Sequence, residues 1–392
     1  MRLSIIIPTR ERAQYLTHAI ATCLSNPGDH FEVIVLDNAS GDNTVAAVQG
    51  IADTRLRLVQ SDRRLSMRDN FERGLDIARG NTILFLGDDD GILPGAVDQA
   101  LTLLTGEIAA VTNARAHYSW PDLLASRRGT GLVPRGRSWQ VLNSRDAMRT
   151  LLDDENYYRL PCVYHGFVQR RLIEKIRRRQ GRFFCSSQVD MYSAIALSME
   201  GVLYVHCDFP LVINGGSSRS NGASHFSGGS GTERTLWKAE DDLGFLSGFA
   251  DHATVGSLII ESGLRYATAN SIEFADMFPR SSVAAALNHD FEQRGIRGKD
   301  QSTAFQAAKL AGVTLNPTPS KRRLPPQLIR LLQLRRSFAN LRAIDFEHRG
   351  INTVSGAAKV MGDLIARNRL GMASGIGEQL RASARIAGLA LR

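Results

Sequence analysis

The first hundred residues alternate short apolar runs with amphipathic stretches, and this alternation constrains the fold more than any other feature of the chain. Continuous apolar runs lie at residues 3–8, 31–36 and 82–86, and a strand-like alternating run lies at 55–60. Apolar runs of this length predict strands buried on both faces. Because helical stretches separate them, the sequence predicts an α/β fold with a mostly parallel sheet, right-handed crossovers and flanking helices.

Polar residues follow three of these runs, at the points where the predicted strands end. They are PTR at residues 8–10, DNAS at 37–40 and GDDDG at 87–91. The carboxyl ends of parallel strands share one edge of a sheet, and ligands of such sheets bind beyond that edge. We therefore expect the three polar clusters to form one ligand site.

Asp88, Asp89 and Asp90 form the most acidic of these clusters. Close carboxylates repel one another and favour a cation between them, and their oxygens are the ligands that Mg²⁺ and Mn²⁺ prefer. The alternative is an acidic surface turn, which is the commoner meaning of an isolated DDDG tetrapeptide. Its position after a buried strand, across the sheet edge from Asp37, favours a metal site.

Two common phosphate-binding motifs do not occur in the sequence. No G-x-G-x-x-G follows a predicted strand, which disfavours an NAD enzyme, and no G-x-x-x-x-G-K-[ST] is present, which disfavours a P-loop NTPase. A diphosphate is therefore expected to be held by a metal and by side chains. The four cysteines form no C-x-x-C pair, so neither a zinc cluster nor a disulfide framework is indicated, and a cytoplasmic location is expected.

The blocks SIIIPTR, VIVLDNAS and LSMRDNFERGLDIARGNTILFLGDDDGILP, in this order, resemble the family-2 inverting glycosyltransferases, which have the GT-A fold. The resemblance is strong over residues 1–104 and weak over 105–225. It implies transfer of one sugar from a nucleotide-diphosphate sugar, with a UDP-sugar favoured, to a carbohydrate or lipid-linked acceptor in surface polysaccharide biosynthesis. It also implies Mn²⁺ or Mg²⁺ at Asp88, Asp89 and Asp90. The residues that it assigns to the nucleoside are Pro8, Thr9, Arg10, Asp37, Asn38, Arg68 and Asn70.

The aspartate cluster departs from the family's pattern. Counted back from Pro94, Gly87 stands where the family's D-x-D-D has its first aspartate. Asp89 then takes the metal position, whereas a literal D-x-D uses Asp88 and Asp90, and the sequence leaves both assignments open. The Q-x-x-R-W signature of processive synthases is missing, which favours a single addition per acceptor.

An inverting transfer needs a carboxylate base for the acceptor hydroxyl, and the family places it at the start of a helix in the second half of the domain. Asp190, before a predicted helix, is our candidate. The alternative is that Asp190 only complements the helix dipole. Asp153, Asp154 and Glu155 are the competing carboxylates.

Residues 214–231 contain six glycines and six serines, so they form either a flexible linker or a lid over the donor phosphates. Under the second interpretation Ser218 and Arg219 contact phosphate, and His225 is a further metal ligand or phosphate contact. A histidine in such a segment is more often without a function.

The net charge of +9 is not spread evenly along the chain. Residues 321–392 hold 14 Lys and Arg against 4 Asp and Glu, which leaves 34 and 35 for residues 1–320. The apolar and basic residues from 328 to 342 predict an amphipathic helix, which binds an anionic membrane surface such as the inner face of the cytoplasmic membrane, or packs on the body or on another subunit. Few aromatic residues accompany the basic ones, which disfavours nucleic-acid binding.

We therefore predict a GT-A domain over residues 1–231, with a nucleotide-sugar half (1–113) and an acceptor half (114–231). A helical region (232–316) and a basic amphipathic tail (317–392) follow. A sugar nucleotidyltransferase is a weaker alternative because it needs a glycine-rich basic loop after the first strand. A non-catalytic glycan-binding scaffold is another, although such a protein would have lost the metal carboxylates or the base.

Overall fold

The computed structural model describes residues 1–123, 127–220, 240–249, 254–293, 301–315 and 340–367. The strands are β1 (Leu3–Thr9), β2 (Phe31–Asp37), β3 (Leu56–Gln60), β4 (Thr82–Phe85), β5 (Gly91–Ile92), β6 (Ala110–Asn113), β7 (Ala116–Ser119), β8 (Thr130–Pro134), β9 (Trp139–Asn143), β10 (Phe167–Gln169), β11 (Leu203–Cys207), β12 (Val212–Gly216) and β13 (Leu341–Asp345). The α-helices are α1 (Ala13–Leu24), α2 (Thr44–Gln49), α3 (Met67–Ile77), α4 (Ala96–Leu103), α5 (Ser144–Met148), α6 (Leu151–Asp154), α7 (Arg170–Gln180), α8 (Val189–Ser198), α9 (Val255–Asn270), α10 (Arg280–Gln293), α11 (Gln301–Leu310) and α12 (Val354–Ala366).

The larger sheet has the strand order β3-β2-β1-β4-β10-β6-β11-β9. Strands β1 to β4 are parallel to one another, β11 is parallel to β6, and β10 runs antiparallel between β4 and β6. The apolar runs that predicted β1, β2 and β4 are buried on both faces. The prediction of a mostly parallel sheet flanked by helices is confirmed.

The smaller sheet has the order β13-β8-β7-β12-β5 and begins where strands of the larger sheet end. The chain passes from β4 to β5, from β6 to β7 and from β11 to β12 through short connections. The aspartate cluster, residues 88–90, lies in the first of these connections. It therefore lies at the junction between the two sheets.

Two hydrophobic clusters cover the two faces of the larger sheet. Ile6 of β1 faces a cluster with helices α3, α7, α8 and α9, whereas Ile5 and Ile7 face the cluster that contains α1, α4 and α12. Helix α3 begins at Ser66, whose hydroxyl accepts a hydrogen bond from Asp69 N at 3.1 Å, as expected of an N-cap. Gly74 lets this helix approach the sheet, since a Cβ there would lie 2.8 Å from Leu36 Cδ1.

The C-terminal region differs from the sequence-based prediction, which assigned all of residues 317–392 to one basic tail. Strand β13 pairs with β8 in the smaller sheet, and α12 packs against α1 and β5. Ile344, Phe346 and Met361 are fully buried in this arrangement. Residues 340–367 are thus part of the body because their apolar side chains complete its core, and most of the predicted amphipathic run lies outside the described residues.

The described parts of the region 254–315 are largely helical, with α9, α10 and α11 in sequence. Within the described residues, no helix combines the length and the hydropathy needed to cross a bilayer.

Candidate functional site

The three aspartates after β4 are all buried, with side chains that belong to residues only 1–5% exposed. Each has a different set of partners. Asp90 accepts hydrogen bonds from Gly215 N at 2.7 Å, Gly87 N at 2.8 Å and Tyr164 OH at 2.8 Å, and His165 Nε2 lies 2.6 Å from it. Both oxygens of Asp90 are therefore engaged by protein groups. These groups connect residues 86–90, which we call the aspartate loop, to β12 and to residues 164–165.

Burial alone would raise the pKa of Asp90, but His165 and the backbone N–H of Gly215 hold it below its ordinary value. Burial also lowers the pKa of His165, whereas Asp90 acts in the opposite direction. The pair is a hydrogen bond between the imidazole and the carboxylate. It fixes the loop conformation.

Asp88 and Asp89 contact residues at or just beyond the ends of β1 and β12. Asp88 accepts from Thr9 Oγ1 at 2.8 Å and pairs with Arg12 Nη1 at 3.0 Å. One oxygen of Asp89 accepts from Ser217 Oγ at 2.7 Å and Ser220 Oγ at 2.5 Å. Burial, together with Asp90 and Asp88, raises the pKa of Asp89 to about 7. A positive partner at this point would relieve that repulsion.

The side chains available as metal ligands restrict how a divalent cation could be held. The described residues contain no group of three or more His, Cys, Asp and Glu arranged for a metal, Asp90 is engaged elsewhere, and His225 lies outside the described residues. Asp88 and Asp89 remain. Two carboxylates fit Mg²⁺ or Mn²⁺, which commonly take their other ligands from water and substrate phosphate.

Three residues assigned to the nucleoside contain buried polar atoms without a hydrogen-bond partner. Among the described residues these include Asp37 Oδ1, Asn70 Oδ1 and Arg68 Nε. Asp37 ends β2 directly beside Thr9 of β1, and the other two residues lie in the first turn of α3. Their residues are 7% exposed or less. A ligand at this edge would meet two acceptors without a hydrogen bond and one donor, Arg68 Nε, whose ion-pair partner Asp69 Oδ1 is 3.9 Å away.

Other predicted contacts are engaged within the protein. The amide of Asn38 donates to Leu65 O at 2.9 Å and accepts from Leu65 N at 2.8 Å, so Asn38 holds the loop before α3. Arg10 pairs with Glu240, and Arg68 Nη2 lies 2.6 Å from Asp242 Oδ1.

The described part of the predicted lid, residues 214–220, folds against the aspartate loop. Gly215 is required there, because a Cβ would lie 1.8 Å from Asp89 O. Ser218 Oγ donates to Asp122 at 2.6 Å, whereas Arg219 Nη1 donates to Glu11 O at 2.6 Å. Arg219 is thus close to the strand ends, and Ser218 points to the side of the loop. Pro8 lies within β1 and is partly exposed.

Asp190 lies in the first turn of α8, where its Oδ1 accepts from Met191 N at 2.9 Å. Its other oxygen lies 2.7 Å from Tyr157 OH and 3.4 Å from Tyr158 OH. Burial and Asp190 raise the pKa of Tyr157 well above its ordinary value, so this hydroxyl stays protonated.

Two of the three competing carboxylates face the helical region, and the third bonds within its own turn. Asp153 accepts from Ser282 Oγ of α10 at 2.8 Å, Asp154 accepts from Asn156 N at 3.0 Å, and Glu155 lies against Gly256 of α9. None of these contacts leads to the aspartate loop.

Sequence reasoning missed the residues that join these parts, namely Arg115, Tyr157, Tyr158, Tyr164 and His165. Tyr164 and His165 reach the site because the segment before β10 pairs with Phe85 at the end of β4, and His165 adopts a left-handed conformation with φ 66°. The one available signal was the pairing of aromatic residues at 157–158 and 164–165 in a chain with 7% aromatic residues.

The chain is similar to known glycosyltransferases in sequence and in fold. The model of the family described as Glycosyl transferase family 2 matches residues 4–174. The GalNAc(5)-diNAcBac-PP-undecaprenol beta-1,3-glucosyltransferase of Campylobacter jejuni is 34% identical over 99 residues, covering 24% of this chain and 32% of that protein. The succinoglycan biosynthesis protein ExoO of Rhizobium meliloti is 33% identical over 92 residues, covering 24% and 26%. The chain thus spans about a third or less of these curated relatives.

A solved structure of S. aureus TarS 1-349 in complex with UDP-GlcNAc is similar in fold. Its TM-score is 0.54 at 13% identity, and the match covers 100% of this chain and 93% of that one. This likeness confirms the GT-A fold that the sequence predicted. The family-2 resemblance that the sequence indicates is therefore confirmed over residues 4–174, the part of the chain that matches the model of glycosyl transferase family 2.

Proposed function

We propose that the chain transfers one sugar from a nucleoside-diphosphate sugar to a hydroxyl group of a carbohydrate or lipid-linked acceptor, with inversion at the anomeric carbon. Asp37, with Arg68 and Asn70, binds the nucleoside. Asp88 and Asp89 hold Mn²⁺ or Mg²⁺ against the diphosphate, and Asp190 is the base.

The observation that carries the proposal is the set of unpartnered buried atoms on Asp37, Arg68 and Asn70. A buried polar atom without a partner costs about 1–3 kcal/mol, so a ligand that supplies the partners is favoured. A nucleoside offers N–H and O–H groups to the two oxygens and carbonyl oxygens to the guanidinium. The aspartate cluster follows β4, which only β1 separates from the β2 strand of Asp37, and this position suits a diphosphate attached to that nucleoside.

The residues around the aspartates suit the charge of a diphosphate. Arg12 pairs with Asp88, and Arg219 donates a hydrogen bond to Glu11 O, two residues beyond the end of β1. Arginine pairs well with phosphate oxygens. A divalent cation bound there would neutralise charge that develops on the leaving diphosphate.

The reaction needs one proton transfer by the protein. Asp190 accepts the proton of the acceptor hydroxyl, whose oxygen bonds to the anomeric carbon while the bond from that carbon to the diphosphate oxygen breaks. The nucleoside diphosphate leaves on the opposite face, which inverts the configuration. A positioned base contributes about 10²–10⁴-fold to such a step.

Support for the acceptor class comes from the names of the relatives, one of which refers to a PP-undecaprenol-linked substrate and the other to succinoglycan biosynthesis. A lipid-linked acceptor would suit a membrane-surface location, which the basic residues between 317 and 392 also predict. UDP is the favoured nucleotide, as the sequence resemblance implies.

A thermal-shift panel of UDP, GDP, dTDP and CDP, each with and without Mn²⁺, tests the donor site. One nucleotide should stabilise the protein, by about 2.7 kcal/mol at 100 times its Kd, and more strongly with Mn²⁺. The Asp88→Asn, Asp89→Asn double variant should lose the Mn²⁺-dependent part, whereas the exposed-site control Glu107→Gln should keep it. Absence of any shift in folded wild-type protein would contradict the proposal.

A further inference from the structure

Arg115 contacts three separate segments of the site. Its guanidinium carbon lies 3.1 Å from the centre of the Tyr158 ring, and its Nη1 lies 3.3 Å from His165 Nδ1 and 3.1 Å from Asn214 Oδ1. The residue lies between β6 and β7, where the chain passes from the larger to the smaller sheet. Neither the proposed chemistry nor the predicted nucleotide contacts use it.

Two of these contacts lead to the aspartate loop. A guanidinium can only donate hydrogen bonds, so His165 Nδ1 accepts and Nε2 carries the proton. That Nε2 lies 2.6 Å from Asp90 Oδ2. Asn214 precedes Gly215, whose N–H donates to the other oxygen of Asp90 at 2.7 Å. Arg115 therefore supports both sides of the Asp90 carboxylate.

The third contact leads to Asp190. A guanidinium over an aromatic face is held by a cation–π attraction, which fixes the ring of Tyr158. The hydroxyl of that ring lies 2.7 Å from Tyr157 OH, which lies 2.7 Å from Asp190 Oδ2. A continuous path of contacts thus runs from Asp190 through two tyrosines, Arg115 and His165 to Asp90.

We propose that Arg115 is a positioning residue that holds Asp190 and the aspartate loop in one fixed relation. The inference rests on the proposed function, in which the base and the leaving diphosphate act on opposite faces of one carbon. Such a geometry is demanding, since a misplacement of about 1 Å can cost about 10²-fold in rate. One residue that contacts the supports of both carboxylates is suited to maintain it.

Kinetics of donor turnover separate this role from a general loss of structure. Arg115→Gln should lower kcat by about 10–100-fold, while the donor Kd, measured by calorimetry with Mn²⁺, changes by less than about threefold. Arg115→Lys keeps the charge but loses the planar stacking group. Its kcat should therefore lie between those of wild type and Arg115→Gln. The exposed Arg137→Gln is the matched control and should keep the wild-type kcat.

A double-variant comparison tests whether Arg115 acts through the tyrosines. Tyr157→Phe alone should lower kcat, but in the Arg115→Gln background it should add less than half of its single effect on a logarithmic scale. Independent, multiplicative effects would overturn the proposal. A wild-type kcat in Arg115→Gln, or an equal loss in Arg137→Gln, would also overturn it.

A spectroscopic measurement keeps the test independent of turnover. In protein labelled with fluorotyrosine, the ¹⁹F resonances of Tyr157 and Tyr158 are assigned by their loss in the Tyr→Phe variants. Arg115→Gln and Arg115→Lys should both shift these two resonances, and Arg137→Gln should not. Unmoved resonances would refute the positioning role, whereas shifted resonances in a protein without donor turnover would refute the proposed function and leave the contact path intact.

Discussion

Asp90 differs from its two neighbours because protein groups already engage both of its carboxylate oxygens. An aspartate in this environment stabilises the fold. Asp88 and Asp89 accept fewer hydrogen bonds: Asp88 contacts Thr9 and Arg12, and Asp89 contacts two serines. We therefore propose that these two carboxylates bind the cation next to the diphosphate. The sequence left open which aspartates bind the metal, and we propose Asp88 and Asp89.

Variants of adjacent aspartates should separate these roles. Asp90→Asn places an NH₂ group against hydrogen-bond donors, so the free energy of unfolding should fall by about 2–4 kcal/mol. Asp89→Asn removes a repelled charge, so its change should stay below about 1 kcal/mol. Urea unfolding monitored by circular dichroism measures both values. Equal losses in the two variants would contradict the division of roles.

Asp190 should affect the chemical step and not donor binding. Asp190→Asn keeps the shape of the side chain but removes the base, so kcat should fall by about 10²–10⁴-fold. Calorimetry should give an unchanged donor Kd, because the nucleoside contacts lie at Asp37 and on α3. Asp153→Asn, which alters a carboxylate bound to Ser282, is the control. A near wild-type kcat in Asp190→Asn would remove it from the base role.

At the scale of elements, Glu32 links β2 to its neighbours. It accepts from Ser4 Oγ of β1 at 2.7 Å, from Arg57 Nη1 of β3 at 2.6 Å and from Arg79 N beyond α3 at 2.8 Å. Burial would raise its pKa, but these donors hold the pKa below the ordinary value of 4.5. A buried carboxylate thus connects β1, β2, β3 and the end of α3. The first two of these elements end at Thr9 and Asp37, in the candidate site.

The stabilisation by Glu32 should therefore depend on pH. Because the folded-state pKa is lowered, the contribution is complete above the unfolded-state pKa and is lost as the pH falls through the folded-state pKa. Glu32→Gln should destabilise the protein by about 1–3 kcal/mol at pH 7, and the difference from wild type should shrink below pH 4.5. Urea melts across pH 3–7 measure it. A difference independent of pH would contradict the ionic account.

The elements that the sequence predicted are those with strong local signals. Strands β1, β2 and β4 are continuous apolar runs, and their polar ends formed the expected edge. Strand β10 has only three residues, and β13 pairs with β8 across about 200 residues of chain. Neither β10 nor β13 shows a periodic pattern in its own sequence, because each strand is stabilised by partner strands that are distant along the chain. For the same reason the sequence did not indicate Arg115 and His165, which act through long-range contacts, whereas Asp37 and Asp88 lie at the ends of predicted strands and could be proposed as site residues.

At the scale of the whole molecule, the C-terminal region consists of parts that differ in charge. Residues 340–367 hold four Lys and Arg against three Asp and Glu, so most of the positive excess lies in 321–339 and 368–392. The nearly neutral part is built into the core, and the strongly basic parts are the ones for which membrane association stays a prediction.

Phe346 tests whether β13 and the residues after it belong to the body. Its ring is fully buried and lies 5.5 Å from that of Tyr118 in β7. Phe346→Ala should lower the free energy of unfolding of the whole domain by about 3–5 kcal/mol, with one cooperative transition by circular dichroism and by tryptophan fluorescence. The exposed His348→Ala should change it by less than about 0.5 kcal/mol. A wild-type transition for Phe346→Ala would indicate a separate tail.

The stereochemistry of donor turnover tests the central claim most directly and needs no known acceptor, since water can take the acceptor's place in slow hydrolysis. Proton NMR, recorded before mutarotation, identifies the anomer of the first sugar released from the nucleoside-diphosphate sugar that stabilises the protein. The account predicts the anomer opposite to that of the donor, formed by wild type with Mn²⁺ and at least about 10²-fold more slowly by Asp190→Asn. Release of the donor's own anomer, or equal rates in the two proteins, would contradict it.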